Sequence, residues 1–212
     1  MTYLCNQPDM FVEEMIQGFA AAHRDLIAAV NGGVVRRHKA EPGQVVVIIG
    51  GGSGHYPAFG GLVGPGLVHG AAMGNVFASP SAQQIYDVAL AAYAGGGIIL
   101  CYANYAGDVL NFNQAQARLQ AQGIDVRAVV VTDDIASASL AERQLRRGIA
   151  GALPVFKVAA AAADSGESLD EVCRIANEAN ARVRTLGVAF SGCTLPGAQQ
   201  PLFHVEHGKL AV

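Results

Sequence analysis

Tryptophan is absent, cysteine occurs only four times, and just 15% of the 212 residues are charged. Each scarcity removes a class of protein. So little charge beside 51% hydrophobic residues excludes a disordered chain, because such a composition can bury enough apolar surface to offset the entropy of ordering. Lys+Arg number 14 against 17 Asp+Glu, and no extended basic cluster marks nucleic acid or an anionic membrane as a partner. The short runs Arg36-Arg37-His38-Lys39 and Arg143 to Arg147 read as solvated faces. Apolar runs stay below the roughly 18 residues a membrane-spanning helix requires. Met1-Thr2-Tyr3-Leu4-Cys5 has neither the positive nor the apolar region of an export signal. Cys5, Cys101, Cys173 and Cys193 form no C-x-x-C pair, and three of them sit in apolar surroundings, as buried reduced thiols do. A cytoplasmic location is the expectation.

What is present is glycine, at 26 positions, and short β-branched runs. Apolar residues at helical spacing from Met10 to Val30 predict a helix over 8–30, stopped by Asn31-Gly32-Gly33. Strands are predicted over 44–49, 67–73, 97–101, 126–131 and 187–191. Helices are predicted from Ser79-Pro80 to about Tyr93, and over 111–122, 140–164 and 169–186. Short, continuously apolar strands alternating with helices imply one α/β domain over 1–212, a mainly parallel sheet flanked by helices. Three strands run into polar loops at 50–55, 103–108 and 132–134. In such sheets ligands bind at the carboxyl ends of the strands, so these loops hold the candidate site residues.

The loop Gly50-Gly51-Gly52-Ser53-Gly54-His55 fails the common nucleotide patterns. No Lys follows its glycines, as a phosphate-binding P-loop requires. His55 or Pro57 stands where the dinucleotide fingerprint needs Gly, and His55 also breaks the G-x-S-x-G nucleophile elbow. The loop offers backbone N–H groups and close approach to a small ligand, although a tight strand-to-helix turn would use the same residues. His55 could hydrogen-bond a substrate hydroxyl or exchange a proton near neutral pH. Asp108, in Asn104-Tyr105-Ala106-Gly107-Asp108-Val109-Leu110-Asn111-Phe112, could take the proton of an attacking hydroxyl or could cap the helix at 111–122. A serine hydrolase using Ser53 and His55 is a weak alternative, since two residues so close in one loop reach hydrogen-bond geometry only by a fortunate turn.

Those two segments, with Gly64-Pro65-Gly66-Leu67, Phe77-Ala78-Ser79-Pro80-Ser81, Arg146-Arg147-Gly148 and Gly192-Cys193-Thr194-Leu195-Pro196, resemble the dihydroxyacetone-binding K subunit or domain of the dihydroxyacetone kinase family over roughly residues 10 to 205. The resemblance implies phosphorylation of the terminal hydroxyl of dihydroxyacetone or a related short ketose. No cofactor or metal is expected on this chain, because ATP or ADP with Mg²⁺ would sit on a separate L domain or subunit. By position, Gly52, Ser53, Gly54 and His55 would hold the ketose, with His55 assisting acid–base chemistry and Asp108 as general base. A homodimer is expected. Ala103 stands where family members commonly carry a Lys, and loss of that charge points toward a substrate such as four-carbon erythrulose. The family's ketone-bonding histidine lies in a Gly-Ile-His-Gly-Glu-Pro-like segment that would follow Val212; His204 and His207 do not match it. The chain is therefore read as the N-terminal part of a K domain. A non-catalytic ketose- or polyol-binding regulator on the same fold is the alternative.

Overall fold

The computed structural model describes residues 6–212, so the readings made on Met1 to Cys5 lie outside the described residues. Six strands form one sheet in the order β1-β2-β4-β3-β5-β6: Ile27–Val30 (β1), Gly33–Arg36 (β2), Val46–Gly52 (β3), Gly70–Gly74 (β4), Ile98–Ala103 (β5) and Val126–Val131 (β6). β3 pairs in parallel with β4 and β5, and β5 with β6, whereas β1 and β2 add an antiparallel edge. The α/β class with a mainly parallel sheet holds. β3 and β4 are buried along their whole length, because helices cover both faces of the sheet. One face packs on Phe11–Ala22 (α1), Ala152–Asp164 (α4) and Leu169–Arg182 (α5), the other on Ala82–Ala92 (α2) and Ala106–Gln120 (α3). Ile48, Ile85, Leu100, Phe112 and Phe156 are among the largest buried side chains, each contributing about 1.5–3 kcal/mol by leaving water. No described helix is long and apolar enough to cross a membrane.

Several boundaries differ from the sequence reading, each for a local reason. The helix predicted over 8–30 is a 3-10 turn at Pro8–Met10 followed by α1, and its last four residues are strand β1. Asn31-Gly32 is not a helix stop but the two-residue turn of a β1–β2 hairpin, with Gly32 at φ 83°. Ser81, not Ser79, caps α2: its hydroxyl accepts from the Gln84 N–H at 3.3 Å while Gln84 Oε1 accepts from the Ser81 N–H at 2.8 Å. The helix predicted over 140–164 forms only from Ala152: before it lie a 3-10 turn at Arg143–Leu145 and the N–H groups of Ile149 and Gly151, which bond to Asp133. α5 ends at Arg182, and the strand predicted over 187–191 reduces to a single bridge between Ala189 and Ala211.

Two other readings are corrected. The basic runs are not wholly solvated: the Arg36 guanidinium grips both oxygens of Asp164 at 2.8 and 2.9 Å, and Arg146 is buried, its Nε donating to the Ala138 carbonyl at 2.9 Å. Among the described cysteines all are free, but only Cys101 is fully buried, while Cys173 and Cys193 are half-buried.

Candidate functional site

The sheet reverses its winding at β3: the chain adds β4 on one side, then crosses through α2 to add β5 on the other. That switch point opens a crevice at the carboxyl ends of β3 and β5. β3 carries its three glycines as strand, so the predicted flexible loop begins only at the 3-10 turn Ser53–His55. The glycines admit side chains from elsewhere; a Cβ on Gly51 would collide with the Phe59 ring.

Gly52 and His55 line a cavity of about 300 Å³ at this crevice, together with Asp108 and Tyr105 from the β5 side. The two predicted acid–base residues thus meet in one pocket. Ser53 does not join them. It is buried, its hydroxyl donating to the Gly74 carbonyl at 2.6 Å and its N–H to the Asn75 carbonyl at 3.1 Å. A hydroxyl committed to the end of β4 is a poor nucleophile and removes the ground for the hydrolase alternative. Gly54 also stays out of the lining and packs on the Phe77 ring.

α3 begins at Ala106, five residues before the predicted start, so Tyr105 is the cap and Asp108 lies in the first helical turn. The capping alternative for Asp108 is thereby corrected. Asn104 anchors the approach, its Nδ2 donating to the carbonyls of Gln144 and Arg146 at 3.1 and 2.8 Å. The Asp108 carboxylate is half-buried, and its Oδ1 is buried with no hydrogen-bond partner. Burial pushes its pKa above the ordinary carboxylate value, while the Ser79 hydroxyl and the nearby His55 hold it partly down. A carboxylate lifted in this way is a stronger base, and Asp108 lines the cavity. The Tyr105 phenol is pushed up by burial and stays a donor at neutral pH.

Asp133 and Asp134, in the third predicted loop, are buried and absent from the lining. They act one step back. Asp133 accepts the N–H groups of Ile149 and Gly151, both at 2.9 Å, and the Thr185 hydroxyl. Asp134 pairs with Arg147 at 2.9 Å. Together they fix the segment whose Gly148, Ile149 and Ala150 form the far wall of the pocket. Phe59, Leu62, Leu153 and Phe156 complete an apolar side, which carries no polar motif in the sequence. Ala103 lines the cavity against that wall, and a Cβ on Gly148 would stand 2.8 Å from its Cα.

Residues 17–212 match the Dak1 domain family. The chain belongs to that family. Over its full 212 residues it is 61% identical to the L-erythrulose kinase of Pectobacterium atrosepticum, of which it spans 36%. The dihydroxyacetone kinase from C. freundii, in complex with AMP-PNP and Mg²⁺, matches with a TM-score of 0.87 at 36% identity, over 96% of this chain and 38% of that one. A dihydroxyacetone kinase operon co-activator matches with a TM-score of 0.85 at 30% identity, over 94% of this chain and 61% of that one. The Dak1 chain thus spans little more than a third of the two kinases. The resemblance read from its loops extends over nearly all of the described backbone.

Proposed function

We propose that this chain is the acceptor-holding part of a short-chain ketose kinase, with four-carbon erythrulose among its substrates. The observation that carries this reading is the delivery of His55 and Asp108, from the ends of two parallel strands, into one 300 Å³ cavity. In the reaction, Asp108 takes the proton of the ketose terminal hydroxyl. The freed oxygen then bonds to the terminal phosphorus of a nucleoside triphosphate, whose bond to the diphosphate leaving group breaks. His55 hydrogen-bonds the ketose beside Asp108 and so helps to hold the hydroxyl that Asp108 deprotonates. This chain has no phosphate-binding signature of its own, so the nucleotide and Mg²⁺ belong to a separate domain or subunit. The small Ala103 supports the larger ketose, and the name of the erythrulose kinase relative agrees with it.

The likeness to an operon co-activator favours a second reading, a ketose-sensing regulator on the same fold. Turnover separates the two. The intact protein, supplied with Mg-ATP, is assayed on dihydroxyacetone, L-erythrulose, D-erythrulose and glycerol. Phosphorylation of an erythrulose with rejection of glycerol is expected, and calorimetry of the 212-residue chain with Mg-ATP should give no heat. Ketose binding without turnover would favour the regulator. Micromolar Mg-ATP binding to this chain would overturn the division of labour.

A further inference from the structure

Phe77 holds a backbone conformation that its residue type disfavours. Asn75 to Ala78 form a turn closed by the Ala78 N–H donating to the Asn75 carbonyl at 3.0 Å, and the Asn75 side chain accepts from the Val76 N–H at 2.7 Å. Phe77 stands third in that turn at φ 55°, the one non-glycine residue with positive φ among the described residues. Glycine or asparagine is usual there, because a Cβ crowds the neighbouring carbonyl. Burial gives no compensation, since Phe77 remains 40% exposed. A strained position retained on the surface has to be explained by what the side chain touches.

It touches His55. The two ring centroids lie 5.3 Å apart at an interplanar angle of 67°, and Phe59 meets the same imidazole from 6.4 Å at 86°. The glycines beneath are fitted to the Phe77 turn. A Cβ on Gly54 would stand 2.5 Å from Phe77 Cε1, and one on Gly52 would stand 2.9 Å from Phe77 Cα. The turn is tied to the loop through the two Ser53 hydrogen bonds already described. His55 itself is exposed, so the edge-on aromatic contacts are what orient its ring.

We propose that Phe77 is a positioning residue for His55: its left-handed turn carries one jaw of an aromatic clamp, with Phe59 as the other, that fixes the imidazole at the mouth of the cavity. Gly52 and Gly54 then serve as clearance for Phe77, beyond any contact of their own with a ligand. A misplaced acid–base group loses rate steeply with distance, so removing the jaw should lower turnover more than affinity.

The test uses the intact protein carrying Phe77→Leu, Phe77→Gly, Phe77→Tyr and His55→Gln. The spectroscopic arm is independent of the kinase reading, and the kinetic arm rests on it. In NMR spectra the carbon-bound imidazole protons of His55, assigned by their loss in His55→Gln, carry a ring-current displacement that Phe77→Leu should abolish and Phe77→Tyr should keep. In the ketose assay, Phe77→Leu and Phe77→Gly should lower kcat by about 10- to 100-fold with KM within about threefold, and Phe77→Tyr should restore it. In a His55→Gln background, Phe77→Leu should cost less than about twofold, because the residue it positions is already gone. Phe77→Gly suits the left-handed turn and should keep its melting temperature, which removes misfolding as the cause. Unmoved His55 resonances, an unchanged kcat, or an equal loss in the His55→Gln background would each overturn the proposal. Should the protein phosphorylate no ketose, the kinase reading fails, and the His55 resonances alone decide the clamp.

Discussion

Asp108 carries two opposed demands on one carboxylate. Catalysis as a base favours a raised pKa, and burial supplies it at the expense of the folded state. The folded protein binds a proton at Asp108 more readily than the unfolded chain does. Its contribution to stability is therefore fully present below the ordinary carboxylate value and is lost as pH rises through the folded value. At neutral pH the wild type bears that loss, and Asp108→Asn does not. Asp108→Asn is thus expected to raise the melting temperature while lowering kcat by about 10²-fold or more, with KM less affected. Thermal unfolding and steady-state kinetics on the same preparations check both signs. The acid limb of the wild-type kcat profile should fall above the ordinary carboxylate range, and a variant that lost stability and turnover together would reveal a structural residue.

At the scale of elements, the site was legible where apolar runs meet polar ends. The runs Val46 to Ile49 and Ile98 to Cys101 announced buried parallel strands, and the segments that follow them carry His55 and Asp108. Gly50 to Gly52 read as a loop because glycine weakens isolated strands. In the folded chain their bare backbones let Ala72 and the Phe59 ring approach β3, a benefit visible only once those partners are placed. Apolar spacing over Met10 to Val30 could not separate helix from hairpin, although Asn31-Gly32 was a hairpin signal in the sequence. The apolar wall at 148–153 was illegible for a different reason. It is held by Asp133, whose role depends on donors 16 and 18 residues away. Asp133→Asn keeps the shape but brings an N–H against the N–H groups of Ile149 or Gly151. A loss of about 2–3 kcal/mol in urea unfolding is expected, with a raised ketose KM as the wall loosens. A stability change without a KM change would separate Asp133 from the pocket.

For the whole molecule, the two apolar layers meet across a sheet whose polar interior is sparse, so one buried histidine has a large effect. His69 is 2% exposed between the layers. Its Nδ1 accepts the Val47 N–H of β3 at 3.0 Å, which leaves the proton on Nε2, facing Asp164 Oδ1 at 3.3 Å. Asp164, at the end of α4, is held in turn by Arg36 of β2. Strands β2 and β3 and helix α4 thus meet around a neutral imidazole. Burial, with the Arg36 charge, lowers its pKa from 6.5 to about 4 against the opposing pull of Asp164. The sign follows from linkage. Well above pH 6.5 neither state protonates His69 and its stabilisation is complete; as pH falls through 6.5 toward 4 the unfolded chain takes the proton first, and stability drains away. Protonation would also turn Nδ1 from acceptor to donor and set it against the Val47 N–H in the strand that leads to the site. Replacing the imidazole by a side chain that does not titrate isolates this contribution from that of the carboxylates. His69→Gln should be clearly less stable than wild type at pH 7.5 and nearly equal to it at pH 4, measured by urea unfolding. An offset that is the same at both pH values would mean that His69 stabilises by shape alone, and that the acid sensitivity of the fold resides elsewhere.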